Sequence, residues 1–193
     1  KAVVVAGKEC PADDSKDCPV PEDPSDGPAT ANYLGSIRSM AVAPDGTVWF
    51  VEQPWVEDKV LDSRLRKLSP DGRLTTLPAS TFGKTGLPSE VALDGQGNAW
   101  IGYGFDSLLR LATDGTVKRF ESGGGGCLAV DASGSAWTYD MIEGELLVTR
   151  ADGSQARHAY APAEGTYCWT MAFLPSGELL FASFDGLWRV DVP

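Results

Sequence analysis

The chain has one histidine, His158, in 193 residues. That scarcity excludes a Ser-His-Asp arrangement built on a well-placed imidazole. There is also no C-x-x-C pair, so a zinc-type cluster has neither of its usual ligand sources. Basic residues are few: 16 Lys and Arg stand against 27 Asp and Glu, giving a net charge of −11. Phosphate backbones and anionic membrane surfaces need a basic stripe, so nucleic acid and such membranes are disfavoured as partners. A cationic or neutral partner is left, and the charge itself keeps a β-rich protein soluble. No run reaches the roughly 20 apolar residues of a membrane helix. The apolar stretch at residues 2–6 is too short for the core of a secretory leader. With Lys1 in place of Met, the start reads as that of a mature or excised fragment. No segment requires a helix.

What the chain has instead is a repeat. Ser39–Phe50 (SMAVAPDGTVWF) reads as a strand, a tight turn and a second strand. It recurs as EVALDGQGNAWI from Glu90, CLAVDASGSAWT from Cys127 and TMAFLPSGELLF from Thr170. The turn glycines Gly46, Gly97, Gly134 and Gly177 are spaced by 51, 37 and 43 residues, and Trp49, Trp100 and Trp137 follow the first three at one fixed offset, with Leu180 in the fourth copy. A second hairpin follows each of the first three copies, turning at Asp71-Gly72, Asp114-Gly115 and Asp152-Gly153. Asp-Gly between alternating apolar runs is a strong hairpin signal, because glycine takes positive φ without steric cost. Two hairpins in about 40 residues make a four-stranded propeller blade. The recurring tryptophans occupy one packing site in each unit and read as core between blades rather than as a ligand cage.

The predicted fold is therefore all-β, a four-bladed β-propeller of four-stranded antiparallel blades in a single domain, 1–193. The fourth unit ends on one strand, LWRVDVP, and residues 1–7 (KAVVVAG) supply an unpaired strand. Joined, they resemble the second hairpin of the other units, so the N-terminal strand is expected to close the last blade and hide an open edge. The assignments are 1–7 closing strand, 8–34 long acidic loop, and blades at 35–80, 81–121, 122–161 and 162–193.

The four cysteines allow three pairings, of which Cys10–Cys18 and Cys127–Cys168 are expected. The first brackets a Pro- and Asp-rich loop, and the second joins the inner strands of neighbouring blades. Disulfides imply an oxidising, secreted or extracytoplasmic setting. The loop at 8–34 carries Asp13, Asp14, Asp17, Glu22, Asp23 and Asp26. Its spacing departs from an EF-hand, so a solvated acidic loop is expected rather than a calcium site. Gly123–Gly126 lies between two strands and serves as a flexible connection, not a phosphate cradle.

Loops that enter inner strands and loops that leave second strands share one propeller face. Register places Arg38, Glu90 and Trp169 at inner-strand starts, and Glu52, Tyr103 and Asp140 at the ends of second strands. Trp55 sits at the centre of the insertion Glu52–Ser63. These seven residues are the predicted ligand-binding mouth. Placed polar groups among aromatic walls suit a small molecule, a peptide or a protein segment. In a purely structural reading, Arg38 pairs with Glu90 across neighbouring blades and the aromatics plug the axis. No catalytic set, metal site or cofactor is assigned.

Val5, Ala6 and Gly7, then Asp26, Gly27, Pro28, Ala29, Thr30, Ala31 and Leu34, then Ala41–Trp49 resemble the opening of an NHL-repeat propeller. DGTVWFVE and RLRKLSPDGRLTTLP are similar to blades of streptogramin lyases. The NHL resemblance implies a recognition module, such as the extracellular sensor domain of a larger bacterial protein. The lyase resemblance implies an alternative, a metal-dependent lyase or lactonase. A lyase of that kind needs a metal-assisted site and a histidine, whereas His158 lies on an outer strand away from the mouth. A lactonase needs Glu, Asn and Asp around the channel. Glu90 and Asp140 could serve, but Asn98 lies in a turn on the opposite face and Asn32 precedes the first blade. Such propellers have more blades than four, which leaves a compact version, removed blades, or two copies sharing a larger ring. A homodimer or structural self-assembly thus stands as a further alternative.

Overall fold

The computed structural model describes residues 3–8, 26–56, 59–82, 87–103, 107–121, 125–159 and 167–192. The chain is all-β, a four-bladed β-propeller of antiparallel sheets, and it divides into two compact units, Lys1–Ser89 and Glu90–Pro193.

The first unit contains β1 (Gly27–Pro28), β2 (Ser36–Val42), β3 (Val48–Gln53), the small hairpin β4 (Trp55–Val56) and β5 (Lys59–Val60), β6 (Arg64–Leu68) and β7 (Arg73–Thr76). Its main sheet runs β1-β7-β6-β3-β2. The sequence gives each strand its partner through the turn between them. Asp45 Oδ1 accepts the Thr47 N–H at 2.9 Å, and Gly46 closes the turn with φ +86°. The fifth strand was not expected. Residues 26–34, assigned to a loop, fold onto the blade because Asp26 Oδ1 accepts the Thr76 N–H at 2.8 Å and Gly27-Pro28 pairs with Leu74 and Arg73. Ala29 then packs with Phe50 and Leu74, supported by Ala6, Leu34 and Leu68.

The second unit carries three sheets. They are β8 (Pro88–Leu93), β9 (Ala99–Tyr103), β10 (Ser107–Leu111) and β11 (Val117–Glu121); β12 (Gly125–Val130), β13 (Ala136–Asp140), β14 (Glu145–Thr149) and β15 (Gln155–Ala159); and β16 (Cys168–Phe173), β17 (Leu179–Ser183) and β18 (Gly186–Val190). Trp100 packs with Leu108, Leu128 and Ala136 between the first two sheets, and its indole N–H reaches the Gly134 carbonyl at 3.1 Å. Trp137 sits in a larger core with Tyr139, Leu146, Met171, Leu179 and Phe181 between the last two. Both tryptophans are thus core, as their fixed place in the repeat predicts. The Cys127–Cys168 disulfide joins β12 to β16 with Cα atoms 5.9 Å apart. The proposed partner pair, Cys10 and Cys18, lies outside the described residues, as does most of the acidic loop.

One expectation needs correction. Among the described residues the fourth sheet has three strands, and Val3–Lys8 form no strand. Gly7 takes φ +90°, which bends the chain out of extended geometry. The Gly7 and Lys8 amides then donate to Ala29 O at 3.1 Å and to Asn32 O at 2.8 Å.

Candidate functional site

In the second unit, antiparallel pairing sets the strand ends. Gly125 lies opposite Asp140, and Cys168 opposite Ser183. The starts of the inner strands therefore meet the ends of the second strands, as the register argument requires. At the β16–β17 end the ladder slips between Cys168 and Thr170, leaving Trp169 in a bulge. A bulge re-aims a side chain that the pleat would otherwise fix. Cys168 points into the core at 1% exposure, while Trp169 stands out at 55%.

Two further rings meet it. Tyr167 precedes β16, and Phe184 occupies the tight turn from β17 to β18. Ring centroids are 4.8 Å apart for Trp169–Phe184, 5.5 Å for Tyr167–Trp169 and 6.0 Å for Tyr167–Phe184, with planes inclined at 73°, 66° and 50°. Tilted aromatic pairs of this spacing attract through the positive edge of one ring and the negative face of another. The turn is fixed by Ser183, whose Oγ accepts the Asp185 N–H and the Trp188 indole N–H, both at 3.2 Å. Phe184 remains 74% exposed. The Asp185 carboxylate is exposed beside it, and no salt bridge engages it among the described residues.

Glu90, on β8, is partly buried. Burial pushes its carboxyl up to about 8, against the opposing effect of the Leu128 N–H that it accepts. At neutral pH it is largely protonated and can donate a hydrogen bond. Asp140 is closed off differently. Its Oδ1 accepts the Ile142 and Glu143 amides at 3.0 and 3.3 Å, and its Oδ2 meets Arg157 Nη1 at 3.3 Å. Arg157 also bonds Glu145 at 3.2 Å. Tyr103 is buried.

Of the residues predicted in the first unit, Glu52 is fully buried. Its carboxylate accepts the Gly35 N–H at 2.7 Å, Arg64 Nε at 3.0 Å and Arg66 Nη1 at 3.1 Å. Burial alone would raise its pKa; the Arg64 and Gly35 hydrogen bonds and both guanidiniums outweigh it and lower the value. Arg38 is exposed at a β-bulge between Ile37 and Ser39, and the Trp55 backbone lies in β4 opposite Val60. His158 is on β15, its ring stacked on Trp137 at 5.6 Å. No group of three His, Cys, Asp or Glu side chains fit for a metal occurs among the described residues.

Sequence reasoning thus named Trp169 but missed Tyr167 and Phe184. The signal was present, since the register marks Ser183 as the end of a second strand and Phe184 is the next residue.

No family model matches the chain. No curated protein matches it either. Solved structures do. Virginiamycin B lyase from Staphylococcus aureus is similar at 14% identity and TM-score 0.61, over 81% of this chain and 56% of that one. A gluconolactonase from Xanthomonas campestris is similar at 19% identity and TM-score 0.62, over 83% and 58%. An auxiliary nutrient binding protein from Bacteroides thetaiotaomicron is similar at 10% identity and TM-score 0.70, over 89% and 42%. The chain spans roughly half the length of these structures, and at such identities the likeness is one of fold.

Proposed function

We propose that the chain is a recognition module that binds a peptide, protein or small molecule at the Trp169 end of the second unit. The observation that carries this reading is the exposure of three mutually packed rings, Tyr167, Trp169 and Phe184, at loops where propeller ligands are expected. Folded domains bury most large aromatics, and a contiguous exposed group marks an interaction site. The disulfide supports an extracytoplasmic setting, and the repeat sequence supports an NHL-like sensor domain of a larger protein.

The test is binding to arrays of peptides, glycans and small molecules by the wild type and by Trp169→Ala. The expected result is a ligand retained by the wild type and lost from the variant. A second reading, a metal-dependent lyase or lactonase, is favoured by the burial of the Glu90 side chain on β8, which pushes its carboxyl up to about 8, a range that suits a general acid. Metal-dependent turnover of a streptogramin B antibiotic or a lactone, lost in Glu90→Gln, would establish that reading instead.

A further inference from the structure

Resting on the recognition reading, we infer that the ring cluster of Tyr167, Trp169 and Phe184, with Asp185, receives a cationic side chain, an arginine carried on an extended basic peptide. Three observations select the cation over a neutral sugar or an apolar segment. The rings pack edge-to-face or tilted at 4.8–6.0 Å, so no slot opens between them, and a ligand meets only those ring faces that no neighbouring edge covers. Those faces carry the negative part of the ring quadrupole, which attracts a cation within about 6 Å of the centroid. Asp185 adds an exposed carboxylate one residue from Phe184, unpaired with any cation among the described residues. The surrounding unit, residues 90–193, holds fourteen Asp and Glu against six Lys and Arg, a field that draws cations.

Guanidinium is favoured over ammonium because it is planar, stacks on aromatic faces and is more weakly hydrated. A peptide is favoured over a free amine because the site is an open surface, and small ligands need a concave pocket to bury them.

The experiment titrates the whole chain with three probes by calorimetry: a short peptide bearing two arginines, its citrulline counterpart, and tetramethylammonium. The variants are Trp169→Ala, Phe184→Ala and Asp185→Asn; the ring variants give up an aromatic contact and lower the thermal midpoint by a few degrees at most, so all three are titrated well below it. The expected result is binding of the arginine peptide only. Affinity falls about two- to fivefold in each ring variant, about twofold in Asp185→Asn, and further with salt. Equal binding of the citrulline peptide, or ring variants that bind like the wild type, would overturn the inference. Tetramethylammonium binding as tightly as the peptide would overturn the choice of a peptide. If the arginine peptide fails while an array ligand is lost in Trp169→Ala, this inference falls and the recognition reading stands; if no ligand senses the ring variants, both fall.

Discussion

Glu52 and Glu90 are carboxylates at strand ends, and their surroundings drive them in opposite directions. Glu52 is held ionised by two guanidiniums and the Gly35 amide in a site closed to water. Glu52→Ala removes the buried carboxylate from its ion pairs with Arg64 and Arg66, and a loss of about 3–5 kcal/mol is expected in denaturant unfolding. Its folded pKa lies below the ordinary 4.5, so its contribution is present above that pH and fades as pH falls through the lower value. Glu90 behaves the other way. Between about 4.5 and about 8 the folded state binds more protons at Glu90 than the unfolded state does, so its effect is to lower stability as pH rises through that window. Glu90→Gln abolishes this term. Thermal melts should show the variant level with the wild type at pH 4 and more stable by roughly 4 kcal/mol at pH 8, at about 1.4 kcal/mol per pH unit across the window. Gly35 belongs to the Glu52 site, since a Cβ there would stand 2.5 Å from the Gln53 carbonyl oxygen. None of this was legible from residue types alone. Both glutamates read as mouth residues, and only the pairing of Glu52 with Arg64 across β3 and β6 separates a structural carboxylate from an available one.

The hairpins were the most legible elements, because their turns are set locally. In Asp131–Trp137, Oδ1 of Asp131 accepts the Ser133 and Ser135 amides at 2.9 and 3.0 Å, and Oδ2 accepts the Trp137 indole N–H at 2.8 Å. Turn, strand and inter-sheet core are thus written within seven residues. Elements that depend on distant partners were less legible. Gly27-Pro28 looks like loop in isolation and becomes a strand only against β7, and Val3–Val5 looks like strand yet forms none. The Cys127–Cys168 bridge is an intermediate case, inferable once the repeat register made the two inner strands neighbours. It closes a separation of 41 residues, for which chain entropy gives about 4 kcal/mol. Replacing Cys127 and Cys168 with serine should lower the unfolding free energy by roughly 2–4 kcal/mol, and a reducing agent should lower that of the wild type by at least as much. Identical denaturation curves with and without reductant would show that the bridge adds nothing to stability.

At the scale of the whole chain, two surface properties oppose each other. The outer edge of β18 pairs with no strand among the described residues and displays Leu187 at 69% exposure and Trp188 at 38%. Such an edge is a template for pairing with a second copy. Against this stands a net charge of −11, which keeps copies apart at low ionic strength. Salt shortens the range of that repulsion, to about 8 Å at physiological strength, while leaving the apolar edge unchanged. Light scattering should therefore report the 20.5 kDa chain at low concentration and low salt, and a rising average mass as either increases. Leu187→Lys places a charge on the edge and should hold the mass at the monomer value under every condition, because edge lysines block strand pairing. A wild-type mass that stays at 20.5 kDa across the series would mean that the edge is covered within one chain. A mass that rises equally in Leu187→Lys would move the contact to another surface.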